Sequence, residues 1–201
     1  MNFAEAVAAR RSIRSFEDRP VPRDAVLRAV SLAVQAPAPH HSAPWRFSLI
    51  EDADAKDDLS RTMGAAWRAD LTSDGAAAEE IESILARSHS LLTGTPLLTI
   101  CSVDVSRAHA YPDERRRLAE WSLFAHAAGA ALQVYMVALA AEGIASCWIS
   151  APVFCRDVVR SHLGLPEHVE PQALVLVGYP DARYLPRPRG PVDPRDYLVP
   201  P

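Results

Sequence analysis

Apolar positions along this chain recur every three to four residues in some stretches and run nearly unbroken in others, and the changes between the two patterns outline its elements. Asn2 with Glu5 three positions on has the form of a capping box and predicts a short helix through Ala9. After the polar run Arg10-Arg11-Ser12-Ile13-Arg14-Ser15, the spacing of Val26, Leu27, Val30, Ala33 and Val34 predicts a second helix over about 22–35. Pro37, Pro39 and Pro44 then break the chain into a loop, and residues 45–50 read as a strand. Stripes at Leu59, Met63, Ala66, Trp67 and Asp70, and at Ile81, Ile84, Leu85 and Ser88, predict two amphipathic helices. The run 97–103 is almost wholly apolar, as expected of a strand covered on both faces.

A long helix is expected over about 115–142, closed by Gly143 in the left-handed cap position. Its segment 121–141 carries no Asp, Glu, Lys or Arg and is long enough to cross a bilayer. It also contains His126, Gly129 and Gln133, and it is rich in alanine, which favours helix but adds little transfer free energy. A buried helix is therefore the better reading. A helix apolar on nearly every side needs cover all round, and a second subunit could supply part of it. A short strand near 147–150, a helix over about 155–163 ended by Gly164, and a strand over 173–177 follow. From Pro180 onward seven prolines and four arginines describe an ordered arm laid over another surface. These elements fit an α+β or α/β architecture, with residues 1–201 as one domain and the arm from about 180.

Composition narrows the function. With 201 residues, 49% of them apolar and 23% charged, the chain can bury a core of its own. A net charge of −4 argues against nucleic acid or an anionic membrane as the main partner. Lys56 is the only lysine, so nearly all positive charge is arginine, the side chain suited to bidentate phosphate or carboxylate contacts. Cys101, Cys147 and Cys155 have no metal-ligand spacing, and no signal peptide opens the sequence; reduced thiols in a cytoplasmic protein are expected. There is no G-x-G-x-x-G, Walker A or G-x-S-x-G motif. His40 and His41 are adjacent and would point apart in extended chain, so no metal is expected between them.

Three segments carry positive signals. Arg10, Arg11 and Arg14 around Ser12 offer three guanidinium groups and a hydroxyl to a phosphate, although on spacing alone a solvated basic turn is the commoner reading. Arg187-Pro188-Arg189 presents two more cations on a stiffened backbone, and Ala36-Pro37-Ala38-Pro39-His40-His41-Ser42-Ala43-Pro44-Trp45 is a rigid loop of the kind that often lines sites. In this order they resemble the FMN-dependent nitroreductase family. Its members share an Arg-Arg-Ser-x-Arg stretch after the first helix, a Pro-Trp pair before the first strand, and a basic-x-basic pair after the last main strand. Here these are Arg10 to Arg14, Pro44-Trp45, and Arg187 with Arg189 after Gly178-Tyr179-Pro180. The resemblance runs from about residue 3 to the end.

It implies an α+β nitroreductase-like fold: a central, mostly antiparallel sheet flanked by helices, with the long buried helix at a homodimer interface and two FMN sites between subunits. Arg10, Arg11, Ser12, Arg14, Arg187 and Arg189 would hold the phosphate and ribityl end. The other subunit would donate the 37–42 loop, with Pro37, Ala38, Pro39 and His41, and the backbone at Ser146, Cys147, Trp148 and Ile149 would face the ring. The family needs no dedicated side-chain acid or base, so no catalytic residue is assigned. An NAD(P)H-dependent nitroreductase of broad substrate range is one expectation.

Where many members have Asn-x-Gln-Pro-Trp, this chain has His41-Ser42-Ala43-Pro44-Trp45. Its paired-histidine loop is similar instead to the C-terminal FMN-binding domain of the bifunctional coenzyme F420:L-glutamate ligase. Trp67-Arg68-Ala69-Asp70-Leu71, Ala110-Tyr111-Pro112-Asp113, residues 143–149 and Pro191-Val192-Asp193-Pro194 match it too. That resemblance implies reduction of the dehydro precursor of coenzyme F420, with His40, Trp67, Arg68 and Tyr111 as candidate substrate contacts. Glutamate ligation is not expected of this chain; a separate ligase as partner, or a non-catalytic flavin- or F420-binding subunit, stays open. Other readings stand beside these roles: Trp67 as core, Arg68 as a solvated flank, Tyr111 as partly buried, His40 or His41 as loop filler, and Cys147 as a packed thiol. Arg115-Arg116-Arg117 opens the long helix against its dipole, which suits a neutralising partner or simple solvation.

Overall fold

The computed structural model describes residues 1–182, 184 and 188–199, so Arg187 lies outside the described residues. In chain order the elements are α1 (Phe3–Ala9), α2 (Arg23–Ala33), β1 (Trp45–Ile50), α3 (Ala53–Ser73), α4 (Ala78–Thr93), β2 (Leu97–Asp104), α5 (Glu114–Ala141), β3 (Ala145–Ile149), α6 (Ala151–Phe154), α7 (Arg156–His162) and β4 (Val169–Gly178). Short 3-10 turns cover Pro39–His41 and Pro194–Tyr197. The four strands form one sheet in the order β1-β2-β4-β3, every pair antiparallel.

Strand alternation divides the core into two layers. Ala173, Val175 and Val177 face one way and pack with Val26 and Ala29 of α2 and Leu132 and Tyr135 of α5. Leu174 and Leu176 face the other way, onto Leu59 and Met63 of α3, Leu92 of α4 and Val159 of α7. Both central strands are thus buried, as the run 97–103 predicts. By length and composition α5 could cross a membrane, yet half of its most apolar stretch is buried inside the chain, with Phe124, Ala131, Leu132 and Tyr135 fully enclosed. It is the core helix of this fold. The Tyr135 hydroxyl and Thr99 Oγ1 lie 2.9 Å apart, joining α5 to β2.

Local signals account for most boundaries. Asn2 Oδ1 accepts from the Glu5 amide at 3.0 Å while Glu5 Oε2 accepts from the Asn2 amide at 2.8 Å, so the capping box of α1 is complete. Asp113 caps α5, accepting from the Arg116 amide at 2.9 Å, and its carboxylate also binds the Arg116 side chain. The adverse arginine run at that helix start therefore has its neutralising group one turn back in the same chain. Gly143 follows α5 at φ 76°.

Four expectations are corrected. Helix α2 stops at Ala33 and buries Ala25, Val26, Ala29 and Ala33, leaving Leu27 and Val34 exposed, because small residues let it lie close on α5. Trp67 is 43% exposed rather than core. The expected helix over 155–163 is α6 and α7, separated at Cys155, whose backbone (φ −137°, ψ 46°) is not helical. Strand β4 begins at Val169, well before 173: Pro171 discourages a strand from sequence, but a register shift opposite Cys101 and Ser102 accommodates it.

Candidate functional site

The segment after α1 is laid along the sheet and stitched to the segment after β4. Ser12 bridges Ser146 in parallel, with the Ile13 amide donating to the Ser146 carbonyl at 3.1 Å. Phe16 bridges Pro180, the Glu17 amide donates to the Tyr179 carbonyl at 2.9 Å, and the Asp181 amide donates to the Ser15 carbonyl at 3.1 Å. Gly178 makes this approach feasible: a Cβ there would sit 2.8 Å from Phe16 Cδ1 and 3.0 Å from Pro96 Cδ. Beyond it, Arg189 Nη2 donates to the Arg10 carbonyl at 2.7 Å and Nη1 to the Val7 carbonyl at 3.4 Å.

Arg10, Arg11 and Arg189 are thus gathered from the two ends of the chain. Burial lowers the Arg189 guanidinium from its ordinary value, and the positive charges of Arg11 and Arg10 lower it further. None of the three forms an ion pair with a described acidic side chain. Arg11 Nη1 and Ser146 Oγ are buried without a hydrogen-bond partner. Both residues line, with Arg10, one hollow of about 190 Å3. Uncompensated like charges and orphaned donors are costly in an empty protein, and both are resolved by an anion with several acceptor oxygens. By this test the residues present fit the phosphate end of FMN.

A larger cleft has a volume of about 970 Å3. Trp148 and Ile149 at the end of β3 and Arg14 form one side; Met63, Trp67 and Leu71 of α3 and Arg87 of α4 form the other, with Phe154 of α6 at its edge. Trp148 is 38% exposed and Phe154 83%. Arg87 and Phe154 were not singled out from sequence. Arg87 could have been, since Ile84, Arg87, Ser88 and Leu91 share one helix face. Arg68 is turned out of the cleft and paired with Glu82. Tyr111 lies elsewhere, edge-on to His109 at 6.3 Å and under the Arg116 guanidinium at 5.2 Å. Cys147 is a packed thiol: burial raises it, outweighing the lowering by Arg14, Arg10 and Ser12. All three cysteines are unpaired, and burial pushes Cys101 up to about 12.

The 37–42 loop is held by its ends and by contacts of His40 and His41, whose carbonyl accepts from Arg107 Nη1 at 3.4 Å. The Trp45 indole donates to the Ala127 carbonyl of α5 at 2.9 Å, fixing the Pro44-Trp45 corner. His40, His41 and Ala43 all have positive φ (53°, 49° and 44°), a conformation that L side chains adopt only when the surroundings impose it. His40 faces its own chain, with Nε2 2.7 Å from Glu120 Oε1 and its ring stacked on His109 at 3.9 Å. Glu120 and His109 escape a sequence reading because they meet His40 only through the fold.

An antiparallel sheet with a core helix on one face, a cationic cradle and an aromatic cleft make a frame suited to a planar, anionic ligand. The profile of the nitroreductase family matches residues 7–179, and the chain belongs to that family of oxidoreductases. It is 24% identical over 190 residues to iodotyrosine deiodinase 1 of Rattus norvegicus, covering 89% of this chain but 62% of that protein's length. Among solved structures, a BluB-like flavoprotein from Clostridium difficile 630 superposes with a TM-score of 0.82 at 17% identity, covering 99% of this chain and 98% of that one. A mutant of NfnB, an FMN and NADPH-dependent nitroreductase from a sphigopyxis strain, gives 0.69 at 22% identity, covering 99% and 98%.

Proposed function

We propose that this chain is an FMN-dependent oxidoreductase that acts as a homodimer on a planar, anionic aromatic substrate, and that the dehydro precursor of coenzyme F420 is that substrate. The observation that carries the flavin assignment is the convergence of Arg10, Arg11 and Arg189, without acidic partners among the described residues, beside buried polar atoms that lack a hydrogen-bond partner. Bound FMN would supply the redox chemistry, with the protein setting its position and electrostatics. Arg10, Arg11, Ser12, Arg14 and Arg189 neutralise and orient its phosphate end, and Ser146 offers a hydroxyl. The backbone from Ser146 to Ile149 would face the ring. Trp67 and Trp148 supply apolar walls for a flat substrate, and Arg87 supplies a cation at the rim.

The dimer reading rests on α5, whose uncharged stretch leaves Leu123 and Val134 exposed at 42% and 37% on one face. A second copy covering this face would bring its own 37–42 loop, with His41, to the neighbouring cradle. Three unpaired thiols agree with a cytoplasmic setting. NAD(P)H is the donor that FMN and NADPH dependence in NfnB suggests.

An absorbance spectrum of the purified protein, with FMN added if needed, tests the first step: flavin bands at one equivalent per chain are expected, and failure to bind FMN overturns the reading. Reduced protein is then incubated with dehydro-F420-0, and mass spectrometry should show a gain of two hydrogens. Rapid NAD(P)H oxidation with nitrofurazone and no change in dehydro-F420-0 would instead identify a broad-range nitroreductase. Binding without any turnover would identify a carrier subunit.

A further inference from the structure

We propose that His40, His109 and Glu120 form a binding site for one divalent transition-metal ion, of the kind zinc represents. The three residues come from separate segments: the strained turn of the 37–42 loop, the loop following β2, and the first third of α5. One ligand atom from each lies within 4.8 Å of the other two.

Glu120 makes the case. It is 6% exposed, immediately ahead of the uncharged stretch of α5. A carboxylate at that depth requires compensating partners, and among the described residues His40 and His109 supply them. The hydrogen bonds are also unevenly shared. Oε1 accepts both from His40 Nε2 at 2.7 Å and from the His109 amide at 2.9 Å, while Oε2 takes none among the described residues. The amide bond fixes the carboxylate from behind, in the manner of an outer-shell partner, and leaves the second oxygen available as a ligand.

The donor set selects the ion. Two imidazoles and one carboxylate suit zinc and its neighbours and are a poor match for magnesium or calcium, which take oxygen ligands. In a tetrahedral zinc site the donors stand about 3.3–3.5 Å apart, given metal–ligand lengths of about 2.0–2.2 Å. The present 2.7 Å contact between His40 and Glu120 would open by under roughly 1 Å, which side-chain torsions can supply. His109 is exposed, so the ion has a path in and a fourth position for water. The ion would tie the left-handed turn at His40 to the core helix, and the site does not depend on the flavin assignment.

The full chain, stripped with EDTA and dialysed, is titrated with Co2+ while absorbance is followed above the flavin region. Visible d–d bands of four-coordinate intensity, saturating at one ion per chain and abolished by Zn2+, are expected. His109→Ala and Glu120→Gln should each weaken binding at least about tenfold, with unchanged circular dichroism and flavin content. His126→Ala, an exposed histidine elsewhere on α5, should leave it unchanged. Absence of the bands overturns the proposal, and so does affinity that His109→Ala does not alter, since the ion would then sit elsewhere.

Discussion

Arg189 Nη2 donates a 2.7 Å hydrogen bond to the carbonyl of Arg10, tying the arm beyond the last strand to the turn beyond the first helix. The same contact holds two guanidinium groups near one another, an arrangement that needs an anion. Replacing Arg10 and Arg14 together by alanine is expected to strip flavin from the purified protein. Each charge-assisted hydrogen bond to the phosphate end is worth about 1.5–3 kcal/mol. Flavin per chain after gel filtration, and affinity from quenching of FMN fluorescence, measure the loss; a double variant that stays fully loaded would remove these arginines from the site.

Ser146 separates binding from folding. Its hydroxyl is buried with no partner, which costs the ligand-free protein about 1–3 kcal/mol. Ser146→Ala should therefore raise the Tm of flavin-free protein by a few degrees while weakening FMN binding. Ser102 provides the control, because its Oγ is equally buried and unpartnered but lies on β2, away from the cradle. Ser102→Ala should stabilise without touching FMN affinity. Equal affinity in both variants would mean that Ser146 does not meet the cofactor.

Much of this architecture was legible in the sequence because the signals are local. The capping box at Asn2 and Glu5, the Pro44-Trp45 corner, the apolar run in β2 and the left-handed Gly143 each act over a few residues and were read with nearly the right bounds. Burial was less legible. In α2 the inner face is built from alanines, so hydrophobicity pointed at Leu27, which is exposed. On α3 the apolar stripe leaves the core after Leu59 and Met63, and Trp67 on it lines a cleft. The arginine segments could be named in advance, but their meeting depends on bridges from Ser12 to Ser146 and from Phe16 to Pro180, which no local pattern encodes. The same is true of His40 and Glu120, whose contact exists only once α5 is packed beneath the loop.

Trp67 tests the cleft. Since 43% of it is already exposed, truncation to alanine should cost little stability. A flat substrate would lose an aromatic neighbour worth about 0.5–1.5 kcal/mol beyond area burial, or roughly 2–10-fold. The expected result is a rise in KM of that size with kcat and flavin content unchanged, as for a contact equal in ground and transition states. Unchanged KM for every aromatic substrate tried would place the substrate elsewhere.

Glu120 gives the chain a specific acid sensitivity. Burial alone would raise its carboxyl, but the His109 amide, the His40 hydrogen bond and the charges of the two imidazoles together hold it below the ordinary glutamate range. A folded-state pKa below the unfolded value of about 4.3 means that the unfolded chain takes up the proton first. The stabilisation is therefore fully present above about 4.3 and is lost as pH falls through the lower, folded value. In metal-free protein, urea unfolding midpoints for the parent chain should fall more steeply through this window than those of Glu120→Gln, which has no carboxyl there to titrate. Below the folded value both curves should run parallel. Identical slopes throughout would show that the carboxylate is not held by His40 and the His109 amide in solution.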